Sequence, residues 1–317
     1  MSDTNINENK EEVVEQHPSE VVKSYDEKIE DARKDLLKAY TISRRISNIL
    51  MFVVVGAIVG IMFLIMSNSD VLKIIGYVLT GLVLGGMVVY YLLTRKRIPN
   101  KVSEYVPLVA KLQNEEIFTN DGFSEVKYET EEKLKMDDLV GDGVYAEATG
   151  INSRNIVRGV YKGHHFLYSE AALLRPSSKK QQVPPLFVGK YISAPNQMKF
   201  EGRFIFNFKN PKQPLDLPNS VSDLVVLEEK EDLTIYGPEN ANYHDAINNK
   251  VLSQFKKLVI ENHLLNVNLV FWGGHTAIYL SYDDAILAVP FDKPFDKDGF
   301  EQSKKDLLIC FEAIAEE

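Results

Sequence analysis

The histidines and the single cysteine are the first side chains of this sequence to consider as metal ligands or nucleophiles. Metal sites need such residues at short, characteristic spacings. The one close pair is His164 and His165, whose side chains point to opposite faces if they lie in a strand. The other histidines lack such spacing; they are His17, His244, His263 and His275. The sequence therefore predicts no metal site.

Cys310 is the only cysteine, so it has no partner for a disulfide within the chain. It lies in the segment from Phe300 to Ala315, whose apolar residues recur at helical spacing. A reduced thiol is what a cytoplasmic domain would keep. We expect Cys310 to pack in a core.

Three side chains could serve acid–base chemistry if a pocket gathered them, namely Asp142, His164 and Glu170. Asp142 stands between two glycines, a pattern typical of a turn. The patterns GxxxxGK[ST], HExxH and GxSxG are absent from the sequence, so nucleotide hydrolysis, zinc proteolysis and serine hydrolysis lack their usual local support. The sequence predicts no catalytic residue and no cofactor.

Two long apolar runs set the framework in which any such side chains must be placed. Ile49 to Met66 holds 18 uncharged residues, and Ile74 to Leu93 holds 20, with a four-residue polar gap after the first run. A helix of about 20 apolar residues crosses a bilayer. The alternative is a pair of helices buried in a large soluble core. A cleaved signal peptide does not fit, because the first run begins nearly fifty residues into the sequence.

Basic residues flank both runs and predict the topology. The strongest determinants are Arg44, Arg45, Arg95, Lys96 and Arg97. The gap between the runs carries few cations, so the positive-inside rule places both ends in the cytoplasm and the hairpin in the cell inner membrane. Overall the chain has 36 basic and 45 acidic residues, a net charge of −9, without a long basic block elsewhere. Nucleic acid is therefore excluded as a partner.

Each apolar run contains a GxxxG pair, which allows close helix packing in lipid. The glycines are Gly56 and Gly60 in the first run, and Gly81 and Gly85 in the second. Two uses remain open: packing of the two runs into one hairpin, and association with a second copy or another membrane protein. The runs hold no Asp, Glu, Lys, Arg or His, which argues against a channel or transporter.

Residues 1–18 are polar and acidic and predict a disordered tail. Residues 19–48 predict a cytoplasmic amphipathic helix that begins at the N-cap Ser19. Its apolar stripe consists of Val22, Tyr25, Ile29, Ala32, Leu36 and Ala39. This stripe has the spacing of a coiled coil, and it could equally pack on the cytoplasmic domain of the same chain.

Residues 98–317 predict a cytoplasmic α+β domain with a mainly antiparallel sheet. Helices are predicted at residues 101–118, 245–263 and 300–315. Period-two alternation in residues 199–209 places Phe200, Gly202, Phe204, Phe206 and Phe208 on one face of a half-buried antiparallel strand.

Two dipeptides indicate hairpin turns in this domain. Lys162-Gly163 separates two β segments, and Gly273-Gly274 separates two more, after Trp272, for which we expect a packing role. A further strand is predicted from Tyr282 to Val289. A proline-rich joint near residues 210–218 could divide the domain into two lobes.

Four segments of the domain resemble a known family. They are Gly141-Asp142-Gly143, Val157-Arg158-Gly159, Phe166-Leu167-Tyr168-Ser169-Glu170 and Phe200-Glu201-Gly202-Arg203-Phe204. With the two-pass hairpin and the terminal helix, hairpin and helix, they are similar to the bacterial domain-of-unknown-function family 3137. The resemblance implies a bacterial membrane protein with a cytoplasmic α+β domain, and it implies no catalytic residue.

These observations favour a membrane-anchored, non-enzymatic interaction or regulatory protein. Its expected partners are the lipid bilayer and a second copy or another membrane protein. The alternative function is a membrane-associated enzyme that acts on a lipid or an envelope precursor. A concave site that gathers Asp142, His164 and Glu170 would favour the enzyme.

Overall fold

The computed structural model describes residues 23–94, 97–129, 132–140, 143–175, 184–196, 202–212, 223–261, 264–282 and 290–316. The predicted tail, Ser19, and the predicted strand beyond Tyr282 lie outside these ranges. The helices are α1 (Tyr25–Ile65), α2 (Asp70–Thr94), α3 (Arg97–Phe118), α4 (Asp137–Val140), α5 (Asn249–Glu261) and α6 (Lys297–Ala315). The strands are β1 (Phe123–Glu129), β2 (Gly150–Tyr161), β3 (His164–Leu174), β4 (Phe187–Pro195), β5 (Arg203–Lys209), β6 (Val225–Lys230), β7 (Leu233–Gly237), β8 (Leu264–Trp272) and β9 (His275–Tyr282). A short 3₁₀ helix spans Tyr243–Asp245.

The described strands form one sheet in the order β1-β2-β3-β4-β9-β8-β5-β7-β6, and its pairs are antiparallel. This confirms the prediction of an α+β domain with a mainly antiparallel sheet. β5 precedes the joint predicted near residues 210–218 and β6 and β7 follow it, so strands from both sides of the joint belong to the same sheet. A division into two lobes stays a prediction.

Both predicted hairpin turns are confirmed. Lys162 and Gly163 connect β2 to β3 with φ of 47° and 91°, and Gly273 and Gly274 connect β8 to β9 with φ of 48° and 81°. Two successive positive φ angles match the right-handed twist of the flanking strands. The turns therefore fix the register of both hairpins.

In both edge strands of the sheet, the pairing with the neighbouring strand shifts register once. The β1–β2 ladder shifts register between Ser124 and Lys127, and the β6–β7 ladder shifts between Val226 and Glu228. An extra residue in an edge strand bends the strand and interrupts its hydrogen-bonding row.

The two faces of the sheet are covered differently. On the face that we call the helical face, α5, α6 and the end of α3 bury a large cluster that includes Phe206, Phe255 and Phe311. On the opposite face, which we call the loop face, residues 132–140 and 143–149 cover only part of the sheet, where Tyr145 packs on Tyr279 at a ring distance of 5.1 Å.

The half-buried prediction for the phenylalanine strand is wrong. Phe204, Phe206 and Phe208 are buried on the helical face, as expected for the inner face of a sheet. Ile205 and Asn207 on the other side of β5 are also fully buried. The reason is that β5 lies between β8 and β7 and both faces of the sheet are covered there. Phe200 lies outside the described residues.

α1 is one continuous helix that joins the predicted cytoplasmic helix to the first apolar run. Its stripe packs on α3, where Ile29 and Leu36 form a buried cluster with Tyr105 and Val109. The structure thus favours packing on the same chain over a coiled coil. Residues 290–296 contact the same side of α1, where Arg33 donates a hydrogen bond to the carbonyl oxygen of Phe291 at 3.1 Å.

The apolar parts of α1 and α2 are long and apolar enough to cross a membrane, and only 6% of the residues in each apolar window are buried. A core helix of a soluble protein would be mostly buried. Isolated apolar helices in water would expose far more apolar surface than soluble monomers tolerate. The two helices indicate membrane association.

The contact between α1 and α2 does not run through the GxxxG pairs. A Cβ atom added at Gly56, Gly60, Gly81 or Gly85 would meet no atom within 4 Å. A Cβ atom at Gly76 would lie 3.0 Å from Cγ1 of Ile65, so this glycine permits the close approach. A role of the GxxxG pairs in packing against another helix stays a prediction.

Candidate functional site

A cavity of about 570 Å³ lies between α3, the helical face and α6. We call it the α3/α6 cavity. Tyr105, Val109 and Ile117 of α3 form one wall, and Tyr168 of β3 with Phe300 of α6 forms another. Ligand pockets of this size class combine apolar walls with a few polar groups. The polar groups of this cavity come from the sheet and α6, from α3, and from the segment that precedes α6.

Charged residues of three neighbouring strands form a row on the cavity floor. Arg154 of β2 is paired in register with Glu170 of β3, and Glu170 is paired with Lys190 of β4. The Nε atom of Arg154 donates to Oε2 of Glu170 at 2.6 Å, and Nδ2 of Asn155 donates to the same oxygen at 3.0 Å. Glu170 therefore accepts hydrogen bonds from the β2 side of the row.

Lys190 is the most buried cation of this row, with 6% of its surface exposed. In the described part of the chain its ammonium contacts the hydroxyl of Ser303, as a hydrogen-bond donor, and lies 5.4 Å from the ring centre of Tyr282. Burial lowers the pKa of Lys190, and the nearby carboxylates of Glu170 and Asp306 oppose this shift. A buried ammonium without an ion-paired carboxylate is a strong site for an anion.

Two buried titratable side chains follow Ser303 on α6, namely Asp306 and Cys310. Burial raises the pKa of Asp306 to about 6, against the opposing effects of a hydrogen bond from Gln302 and the charge of Lys190. Burial also raises the pKa of the Cys310 thiol. Cys310 is fully buried in the core cluster of the helical face, which confirms its packing role.

Asp306 makes stability depend on pH. Because its pKa is about 6 in the folded state and 3.8 ordinarily, the folded chain binds more protons than the unfolded chain between these values. This contribution to the free energy of unfolding is present at low pH and is lost as the pH rises through 6. We expect the free energy of unfolding of Asp306→Asn, measured relative to that of wild type, to increase by about 2 kcal/mol when the pH is raised from 4.5 to 7.5.

The measurement is chemical unfolding of both proteins at the two pH values. Ser253→Ala, at an exposed position on α5, is the control, because it removes no titratable group and its difference from wild type should be the same at both pH values. An equal difference between Asp306→Asn and wild type at both pH values would refute the assignment.

A second concavity, of about 730 Å³, lies on the uncovered part of the loop face. His165, His275 and Trp272 line it together with Arg158 and Asp138. Trp272 also packs against the loop-face cluster, as expected, and its ring stacks on His275 at 5.6 Å. Among the residues that the structure describes, no three His, Cys, Asp or Glu side chains are grouped to hold a metal ion.

The three side chains expected for an enzyme are not gathered in one site. Glu170 lines the α3/α6 cavity, whereas His164 lines neither concavity and its neighbour His165 lines the other one. Asp142 lies outside the described residues. The topology determinants Arg95 and Lys96 also lie outside them.

Comparisons with known proteins give little to build on. No family model matches the sequence, and no curated protein matches it. Among solved structures, the crystal structure of the mycobacterial trehalose monomycolate transport factor A, TtfA, is similar over 63% of this chain and 95% of that chain. The sequence identity is 11% and the TM-score is 0.38. A likeness at this level does not assign a function, and the resemblance to family 3137 stays a prediction.

Sequence reasoning missed Lys190, Ser303 and Asp306. A signal for two of them existed. Strand alternation places Lys190 on the same face as Ile192 and Ala194, and helical spacing places Asp306 on the same face as Cys310. A charged residue on an apolar face is the pattern that could have pointed to this site.

Proposed function

We propose that the protein is a membrane-anchored, non-enzymatic interaction or regulatory protein that presents its α+β domain at the inner face of the cell membrane. The observation that carries this proposal is the continuity of α1. One helix begins against the domain, where Ile29 is fully buried, and continues into the exposed apolar segment. The helix α1 therefore joins the membrane anchor to the domain without an intervening loop.

The attachment of α1 to the domain has several independent contacts. Tyr25 donates a hydrogen bond to Glu301 of α6 at 2.7 Å, and Lys297 of α6 is paired with Asp26 at 2.7 Å. Both termini of the anchor are held, since α3 follows α2 and packs on α1. Such an anchor raises the effective concentration of the domain for partners in the same membrane and limits its orientation.

The proposed topology has both ends in the cytoplasm, in a two-pass arrangement. The basic residues that flank the apolar runs support it through the positive-inside rule. A homo-oligomer or another membrane protein is the proposed partner, and the open glycine faces of α1 and α2 support it, because small residues let a further helix approach closely.

The anchor is tested by replacing one residue in the middle of each apolar run. We expect Ile58→Arg combined with Leu82→Arg to abolish membrane integration, since an arginine at mid-membrane costs about 2.5 to 3.5 kcal/mol on the insertion scale. Wild type should resist extraction by alkaline carbonate and dissolve in detergent, whereas the variant should leave the membrane fraction. Ile58→Leu combined with Leu82→Ile is the matched control and should fractionate like wild type.

Two results would contradict the proposal. One is wild-type protein that dissolves without detergent. The other is digestion of the C-terminal domain by protease added outside sealed cells.

The second candidate is the membrane-associated enzyme that acts on a lipid or an envelope precursor. The α3/α6 cavity favours it, because Glu170 and Lys190 line it together with the hydroxyl of Ser303. The two functions differ in the fate of a bound molecule. A binding protein returns it unchanged, whereas an enzyme alters it, and mass spectrometry of the released molecule distinguishes them.

A further inference from the structure

We infer that the α3/α6 cavity binds a single-chain amphiphile, with its anionic head group at Lys190 and its apolar chain along α3. This inference rests on the proposed membrane anchor for the source of the ligand, and it names the class of molecule that the domain would bind.

The cation lies at the inner end of the cavity. Its neighbour Glu170 already accepts hydrogen bonds from Arg154 and Asn155, and Asp306 accepts one from Gln302 at 3.0 Å. Lys190 itself contacts a hydroxyl and an aromatic ring within the described residues. A carboxylate or phosphate oxygen beside the ammonium would give it the charge-assisted hydrogen bond that the described residues do not supply.

The walls next to this cation are apolar. Val109 and Ile117 of α3, and Tyr168 and Phe300 opposite them, are buried side chains that line the cavity. Apolar surface that is open to the cavity lies beside them at Phe295, which is partly exposed. A hydrated inorganic ion would leave this surface in contact with water, whereas an acyl chain would cover it.

The mouth of the cavity faces the anchor. Lys293, Pro294 and Asp296 line the cavity and are exposed. The same segment contacts α1, where the ring of Phe291 lies 5.5 Å from that of Tyr40. Tyr40 precedes the first apolar run by nine residues, or about 14 Å of helix. The mouth therefore opens beside α1, on the stretch between Glu30, whose carboxylate accepts a hydrogen bond from the backbone N–H of Phe295, and Tyr40. This stretch precedes the first apolar run by about 14 to 28 Å of helix.

The test uses the full chain in zwitterionic phosphatidylcholine nanodiscs with dodecanoate that carries a photoreactive diazirine at the end of its chain. We expect saturable labelling of α3 and α6 peptides, located by mass spectrometry. Lys190→Met keeps the side-chain volume and removes the charge. It should raise the half-saturation concentration of the labelling about tenfold or more, as expected for the loss of a hydrogen bond to a charged group.

Two further variants keep the test decisive if Lys190→Met does not fold. Gln113→Trp on α3 narrows the cavity from a partly exposed position and should also reduce labelling. Lys257→Met removes an exposed lysine of α5 and is the matched control, with labelling equal to wild type. Circular dichroism and thermal unfolding establish that each variant is folded.

Competition distinguishes the possible sources of the anion. Unlabelled dodecanoate should compete, whereas acetate, inorganic phosphate and dodecanol at the same concentration should not. Competition by acetate or phosphate alone would overturn the amphiphile, and competition by dodecanol alone would overturn the role of Lys190. Labelling confined to α1 and α2, or unaffected by Lys190→Met and Gln113→Trp when both are folded, would overturn the site. Fractionation tests the membrane anchor separately, so each idea can fail without the other.

Discussion

Phe311→Ala is expected to lower the free energy of unfolding by about 4 kcal/mol, the largest effect of a single substitution in this chain. Phe311 of α6 is fully buried, and its ring lies 4.8 Å from that of Phe166, 5.0 Å from Phe123 and 5.5 Å from Tyr161. It also contacts Phe118 at the end of α3. One side chain thus joins α6 to α3 and to three strands, and its removal leaves a cavity where these five elements meet.

The measurement is denaturant unfolding of the full chain in neutral detergent micelles. Trp272, the single tryptophan, lies in β8 and reports the state of the sheet by its fluorescence. Phe311→Leu should cost clearly less, because it removes less volume. Phe63→Ala is the second control, since Phe63 lies in the apolar part of α1 with 75% exposure and contacts none of this cluster. An effect of Phe311→Ala below about 1 kcal/mol would contradict the packing described here.

Glu170→Ala is the second large effect, with an expected loss of about 3 kcal/mol. The substitution leaves the guanidinium of Arg154 and the amide of Asn155 without their common acceptor, and it removes the nearest negative charge of the row from Lys190. We place the loss at the low end of the range for buried ion pairs, because the Arg154 side chain retains 22% exposure and can be hydrated in part.

A double-mutant cycle separates the pair from the carboxylate itself. Glu170→Gln retains an acceptor oxygen and should lose less than Glu170→Ala. The cycle compares Arg154→Met and Glu170→Met, each alone, with the two combined. The combination removes both partners and should lose less than the two single variants together, since apolar replacements of a buried pair are often neutral. A loss in the double variant equal to the sum of the two single losses would show that Arg154 and Glu170 do not interact.

The elements with local signals could be predicted from the sequence. The turns at Lys162-Gly163 and Gly273-Gly274 specify their hairpins through backbone angles that few other residues adopt, so both appear where expected. The helices at residues 101–118 and 300–315 follow from the spacing of apolar residues, which is a property of a single segment. The apolar runs need only length and composition.

Features that depend on distant parts of the chain were not predicted. The burial of β5 on both faces follows from its place between β8 and β7, and a strand pattern does not reveal its neighbours. The alternation of residues 203–209 also led to the wrong prediction of an exposed face, because Asn207 is polar and yet fully buried. The charged row required the register of β2, β3 and β4, which brings together residues 16 and 20 positions apart in sequence.

The irregular edge strands of the sheet have a consequence for copies of the chain that lie side by side in one membrane. Neighbouring copies would share one orientation at high surface density, a situation in which free strand edges can join and grow into larger aggregates. The register shifts in the β1–β2 and β6–β7 ladders, with Lys127 and Glu228 beside them, deny an incoming strand a straight row of partners. Crowding in the membrane would therefore add no strand of another copy to the nine that the described residues form.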